Sequence, residues 1–194
     1  MQRTMYNTPI LRPIILVLCR VFLKIWGWKL EGKPPPVFKY VLIGAPHTSN
    51  WDFPLGLSVA FVYRIDMYWM GKYSLFKGWR GPIMKWLGGV PINRSSSNNV
   101  VSQMIEAFDA SDHLVVTIPP EGTRSKVDKW KTGFYYIALG ANVPIALAFL
   151  DYKRKAAGFL STFYPTGDIE KDIAEIRSYY AGISGKYTSK CTVG

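Results

Sequence analysis

Residues 41–53 read VLIGAPHTSNWDF. A strand-like apolar run stops at Pro46, and His47, three small polar residues, Trp51 and Asp52 follow. The pattern reads as a buried strand over 40–45 whose end delivers a histidine and an aspartate together to one edge of the fold. The residues beyond, 55–63, read as a helix.

Working outward, short apolar runs alternate with helical patterns. In 97–110, Val100, Val101, Met104, Ile105 and Phe108 recur at helical spacing, with serines 95–97 available as caps. Residues 113–118 (HLVVTI) read as a second buried strand, and 143–150 as a third, interrupted early by Pro144. Residues 168–180 read as an amphipathic terminal helix with Ile169, Ile173, Ile176 and Tyr180 on one stripe. No repeat or low-complexity tract appears. The alternation predicts an α/β fold: a single domain with a central mixed or mostly parallel sheet flanked by helices.

The chain has 194 residues, 48% of them hydrophobic, which suits one ordered domain and argues against disorder. Its 24 Lys and Arg exceed 13 Asp and Glu, for a net charge of +11. Such an excess favours anionic partners: phospholipid headgroups, nucleic acid or phosphorylated small molecules. No RNP-like or zinc-finger signature accompanies it, so nucleic acid is not expected as a partner. Cys19 and Cys191 lie near opposite ends without metal or redox spacing, and with two histidines in the chain no metal site is expected. Sparse cysteine suits a reducing compartment.

Residues 10–28, ILRPIILVLCRVFLKIWGW, hold no uncharged run near the ~20 residues a membrane-spanning helix needs. Arg20 and Lys24 are one helical turn apart, and Trp26 and Trp28 suit a headgroup region. The reading is an amphipathic helix lying in an anionic bilayer surface; the alternative is a helix packed on the protein's own core. No A-x-A-like cleavage site follows, so a signal peptide is not expected. The breaker GKPPP at 32–36 marks a division into an N-terminal interface segment, 1–32, and a main domain, 33–194. Localisation is then expected at the cytoplasmic face of the cell membrane, peripheral or monotopic.

Polar clusters follow the ends of strand candidates: His47 after VLIGAP, Asn93 and Arg94 after GGVPI, and Glu121, Gly122, Thr123 and Arg124 after VVTIPP. In open α/β sheets that edge binds ligands, so three loops are expected to converge on one pocket. Five residues on a helix advance by about 140°, so His47 and Asp52 share no helical face. They meet if His47 lies in the loop before the helix and Asp52 in its first turn, a start that Ser49, Asn50 and Pro54 permit. A carboxylate on one imidazole nitrogen leaves the other free to take a proton from a hydroxyl. Ser49-x-x-Asp52 also fits a capping box, a purely structural alternative. In PEGTRS (120–125), Arg124 with Arg94 suits a phosphate in forked geometry, and Lys126, Lys129 and Lys131 add charge. Glu121 is the odd member: it could orient an arginine, accept from a substrate hydroxyl, or form a surface salt bridge.

These blocks resemble the glycerolipid acyltransferases, the family that includes 1-acylglycerol-3-phosphate acyltransferase. HTSNWD (47–52) matches the family's H-x-x-x-x-D motif; GGVPINR (88–94), PEGTRS (120–125) and VPI (143–145) are similar to its later blocks. Order and rough spacing agree over 41–149, more than half the chain. The resemblance implies transfer of a fatty acyl group from acyl-CoA or acyl-carrier protein to the hydroxyl of a lysophospholipid, 1-acylglycerol-3-phosphate giving phosphatidate. It implies His47 as general base, Asp52 as its orienter, and Arg94, Glu121, Gly122, Thr123, Arg124 and Lys131 as the acceptor or phosphate site. Apart from the thioester co-substrate it implies no cofactor. The fourth block departs from the family where Leu147 replaces a second proline, which bears on donor preference. Other acceptors (another lysolipid or an amino-acid-derived lipid), an acyl hydrolase at the membrane surface, and a non-catalytic binding module stay open; no G-x-S-x-G motif supports a serine hydrolase. Acyl-chain length, oligomeric state and depth of insertion have no signal in the sequence.

Overall fold

The computed structural model describes residues 4–92 and 97–191. Its elements run α1 (Leu11–Ile25), β1 (Lys29–Glu31), β2 (Lys39–Ala45), α2 (Asp52–Val62), β3 (Met67–Lys72), α3 (Arg80–Trp86), β4 (Gly89–Ile92), α4 (Ser97–Asp109), β5 (Leu114–Thr117), α5 (Gly133–Gly140), β6 (Ile145–Asp151), β7 (Ala156–Phe163) and α6 (Ile169–Ser178), with short 3₁₀ turns before α1, between β3 and α3, and after α6. Seven strands form one sheet in the order β1-β7-β6-β2-β5-β3-β4. The five from β6 to β4 are parallel; β7 is antiparallel to β6, and β1 runs with β7.

Strand β2 explains the architecture. Its side chains alternate between two apolar cores, as a strand buried on both faces requires. Val41, Ile43 and Ala45 pack with Met104 and Phe108 of α4, Phe134 and Ile137 of α5, and Ile176 of α6. Tyr40 and Leu42 point the other way, against Ala60 and Phe61 of α2 and Met67 of β3. The chain leaves β2 through α2 on one face towards β3, and leaves β5 through α5 on the opposite face towards β6. β2 and β5 are neighbours, so the crevice beyond their C-terminal ends is a topological switch point.

Three strands escaped the sequence reading. β3 (MYWMGK) and β7 (AAGFLSTF) are interrupted by glycine and lack the β-branched run that marks β2 and β5. β1 has only three residues and exists because the chain after α1 meets β7 closely. That approach demands glycine. A Cβ on Gly32 (φ +72°) or on Gly158 (φ +148°) would strike the backbone carbonyl of Phe159 or Glu31 respectively.

Helix α1 has two apolar faces. Leu23 is buried, and Ile15, Cys19 and Phe22 lean on the core beside α2. Across the helix, Ile14, Leu18, Val21 and Ile25 repeat at three- and four-residue steps, 51, 61, 46 and 75% exposed. Arg20 and Lys24 are exposed beside that stripe. Among the described residues no helix is long and apolar enough to cross a membrane.

Candidate active site

The loop after β2 carries His47, and Asp52 is the first residue of α2. Asp52 Oδ2 lies 3.0 Å from His47 Nδ1 and accepts the backbone N–H groups of Thr48 (2.8 Å) and Ser49 (2.9 Å). Tyr152 donates its hydroxyl to Asp52 Oδ1 at 2.7 Å. The carboxylate therefore both braces the turn into α2, as half of the capping-box alternative foresaw, and holds the imidazole. Burial alone would raise the Asp52 carboxyl, but hydrogen bonds from His47, Tyr152 and the Ser49 N–H outweigh it and hold it below its ordinary value. An ionised carboxylate at Nδ1 selects the Nδ1–H tautomer and leaves Nε2 to receive a proton.

Because β2 pairs with β5, the PEGTRS loop reaches the same corner. Glu121 is 2% exposed, and its two oxygens lie 3.2 and 3.3 Å from the backbone N–H of His47. Arg124, the described one of the two arginines the sequence offered, is exposed at a cavity rim; Glu121 accepts instead from the backbone that presents the imidazole. Burial raises the Glu121 carboxyl above its usual value despite the hydrogen bonds from the His47 N–H and its own backbone. A raised carboxyl means the folded state disfavours the ionised form, so this group subtracts stability once pH exceeds its ordinary value. Glu121→Gln, which keeps an acceptor for the His47 N–H, should therefore raise the melting temperature relative to wild type at pH 7. The gain should shrink as pH falls and Glu121 becomes protonated, a trend read by calorimetry from pH 4 to 8. A gain independent of pH would assign the effect to packing.

Between α2 and the sheet lies a cavity of about 980 Å³, within the range of small-molecule sites. His47 and Asp52 line it, with Gly122, Thr123 and Arg124. Arg124, Lys72 and Lys190 are exposed where they border it, while Leu42, Val59, Ala60 and Met67 form its buried wall. Gly44 of β2 and Gly56 of α2 also line it, and a Cβ at either would meet nothing within 4 Å. Cations at the rim and hydrocarbon within make the space amphipathic.

Other sequence candidates fall elsewhere. Lys131 does not line the cavity; its stem packs under Gly122, whose Cβ would come within 2.9 Å of Lys131 Cδ. Gly122 itself stands at φ +64°, so a side chain there would also strain the turn. Arg94 lies outside the described residues; β4, which leads to it, ends at the same sheet edge as β3. Leu147, the departure in the fourth block, is fully buried in the core on the far face of β6, whereas Ala148 and Leu150 border the cavity. Phe134 and Tyr135 are core on that far face as well. Lys190, on a C-terminal 3₁₀ turn, had no sequence signal: it sits in a basic, motif-free stretch brought close because the Tyr187 N–H donates to Thr48 Oγ1 at 3.3 Å. Among the described residues no three His, Cys, Asp or Glu side chains gather as metal ligands would.

A family model described as Acyltransferase matches residues 36–147, more than half of the chain. No curated protein sequence matches it. The fold resembles the crystal structure of the 1-acyl-sn-glycerophosphate acyltransferase PlsC from Thermotoga maritima, at a TM-score of 0.59 and 19% identity. The similarity covers 87% of this chain and 76% of that one.

Proposed function

Since the chain belongs to the acyltransferase family, we propose that it moves a fatty acyl group from acyl-CoA or acyl-carrier protein to the hydroxyl of 1-acylglycerol-3-phosphate, giving phosphatidate. The observation that carries this reading is the His47–Asp52 contact at 3.0 Å on the wall of an amphipathic cavity. A thioester is already activated, so the step asks chiefly for a base on the acceptor hydroxyl and for orientation. His47 Nε2 takes the hydroxyl proton as the oxygen attacks the thioester carbonyl. The tetrahedral intermediate collapses with loss of the thiolate, and the imidazolium returns the proton to sulfur. Asp52 stabilises the imidazolium between the two transfers, in the manner of a serine-protease aspartate.

The acceptor phosphate is assigned to Arg124, Gly122, Thr123 and Lys190 at the rim, joined by Arg94 through its sequence block. Glu121 and Lys131 act on this site from behind, one through the His47 backbone and the other under Gly122. No cofactor beyond the thioester is invoked. The exposed stripe of α1, with Arg20 and Lys24 beside it, is assigned to the surface of an anionic membrane, peripheral or monotopic on its cytoplasmic side. Residues 1–32 would thus supply the interface and 33–194 the catalytic unit.

The apolar part of the cavity takes an acyl chain, with Gly44 and Gly56 leaving its wall bare. Gly56→Leu should shift preference towards shorter acyl-CoAs, lowering kcat/KM for the longest good donor about tenfold or more while sparing a short one. Equal loss for all lengths would place the chain elsewhere.

Acceptor identity is tested by thiol release from one acyl-CoA across a panel of lysolipids. Release that depends on 1-acylglycerol-3-phosphate supports the assignment. Dependence on another lysolipid or an amino-acid-derived lipid moves the acceptor, and equal release without any acceptor indicates a hydrolase.

A further inference from the structure

We propose that Tyr152 is a positioning residue of this site, its hydroxyl completing a Tyr–Asp–His chain in which it fixes the outer oxygen of Asp52. The inference rests on His47 acting as the base. Tyr152 follows β6, beyond the residues the family model matches and outside all four sequence blocks.

The bond is short, 2.7 Å, and the tyrosine reaches Asp52 across 100 positions of sequence. Its placement is built rather than incidental. The turn after β6 is tied by Asp151, whose carboxylate accepts from the Lys153 N–H (3.0 Å) and Arg154 Nε (2.7 Å). The Tyr152 N–H donates to the Ser184 carbonyl at 2.8 Å. Its ring stands edge-on to Trp28, 5.1 Å between centroids and 87° between planes. Burial, and then the carboxylate beside it, push the phenol well above its usual range, so it is a donor throughout the working pH range.

The geometry divides the labour on Asp52. Oδ2 is filled by His47 and two backbone donors, and Oδ1 is left to Tyr152. Without the phenol, Oδ1 loses its one side-chain donor in a site where Asp52 is 7% exposed. The carboxylate then presents more unshared charge to the imidazole and can turn about its own axis. The first change favours imidazolium and so depletes the neutral base at a given pH; the second loosens the aim of Nε2. Other ionisable groups facing the chain are Glu121 behind His47, Tyr187 near Tyr152, Lys72, Arg124 and Lys190 at the cavity rim, and Lys155 and Lys186, which border the aromatic recess that Tyr152 lines. Tyr152→Phe leaves all of them in place.

The test is the pH profile of kcat/KM for acyl transfer by Tyr152→Phe, whose ring keeps the contact with Trp28. The plateau kcat should fall roughly three- to tenfold, KM for the acceptor should hold, and the acid limb should move to higher pH. In an Asp52→Ala background, which removes the contact altogether, the same substitution should cost almost nothing further, the mark of two residues acting through one contact. The chain has two histidines, so the ¹⁵N-imidazole signals of His47 are identified as those missing from His47→Ala, and its Nδ1–H resonance should shift in Tyr152→Phe. An unmoved acid limb and an unmoved resonance would overturn the role, as would losses that simply multiply in the double variant. Should His47→Ala prove active, the base assignment itself has failed, an outcome distinct from a silent Tyr152→Phe.

Discussion

Alanine at position 47 should reduce acyl transfer by about 10²–10⁴-fold while leaving the fold in place. The size follows from removing proton transfer in the attacking step; what remains is binding and orientation. The fold should survive because the His47 side chain is 23% exposed and its one backbone donor bond, to Glu121, does not involve the ring. Steady-state rates with acyl-CoA and a lysolipid, paired with a thermal melt, check both halves. A variant that keeps more than a tenth of wild-type kcat with an unchanged melt would remove His47 from the chemistry.

Asparagine at position 52 should cost a comparable amount, about 10²–10⁴ in kcat, for a different reason. Four donors converge on Asp52: the imidazole, two backbone N–H groups and the Tyr152 hydroxyl. An amide has only one oxygen. If that oxygen faces the backbone donors, the NH₂ meets the Tyr152 hydroxyl, which can rotate to accept. If it faces Tyr152, the NH₂ confronts Thr48 and Ser49 and favours the Nε2–H tautomer, which cannot accept a proton from substrate. Either way the negative charge that stabilises imidazolium is gone. Because the native carboxyl is held below its ordinary value, its contribution to stability is present above that value and is lost as pH falls through the folded one. Asp52→Asn should therefore be less stable than wild type at pH 7 and converge with it in acid, as read by urea titrations at pH 7 and pH 3. A constant difference would mean that the charge of Asp52 does not support the fold.

The residues to which the chemistry is assigned were the legible part. A buried strand that stops before a histidine predicted the loop, and good capping residues before Asp52 predicted the helix start; β2 and α2 bear both out. Helices α4 and α6 announced themselves by spacing, because each faces one core with one stripe. The parallel centre of the sheet followed from alternation, but β3 and β7 did not, since their glycines and polar residues break the apolar pattern. Partnerships set by tertiary proximity stayed invisible. Nothing in PEGTRS says that Glu121 would accept from the His47 backbone, and nothing in DYKRK points Tyr152 at Asp52. Leu147 shows the reverse: a conspicuous departure from a motif lies in the opposite core, away from the cavity.

In the proposed reaction the acyl group goes to a lipid hydroxyl under the control of His47. The most direct measurement is to follow a labelled acyl-CoA by mass spectrometry with wild type and His47→Ala, in mixed micelles containing 1-acylglycerol-3-phosphate. Label gathering in phosphatidate with wild type, and staying on coenzyme A with the variant, is the expected result. Label released as free fatty acid by wild type, or phosphatidate formed equally by both proteins, would contradict it.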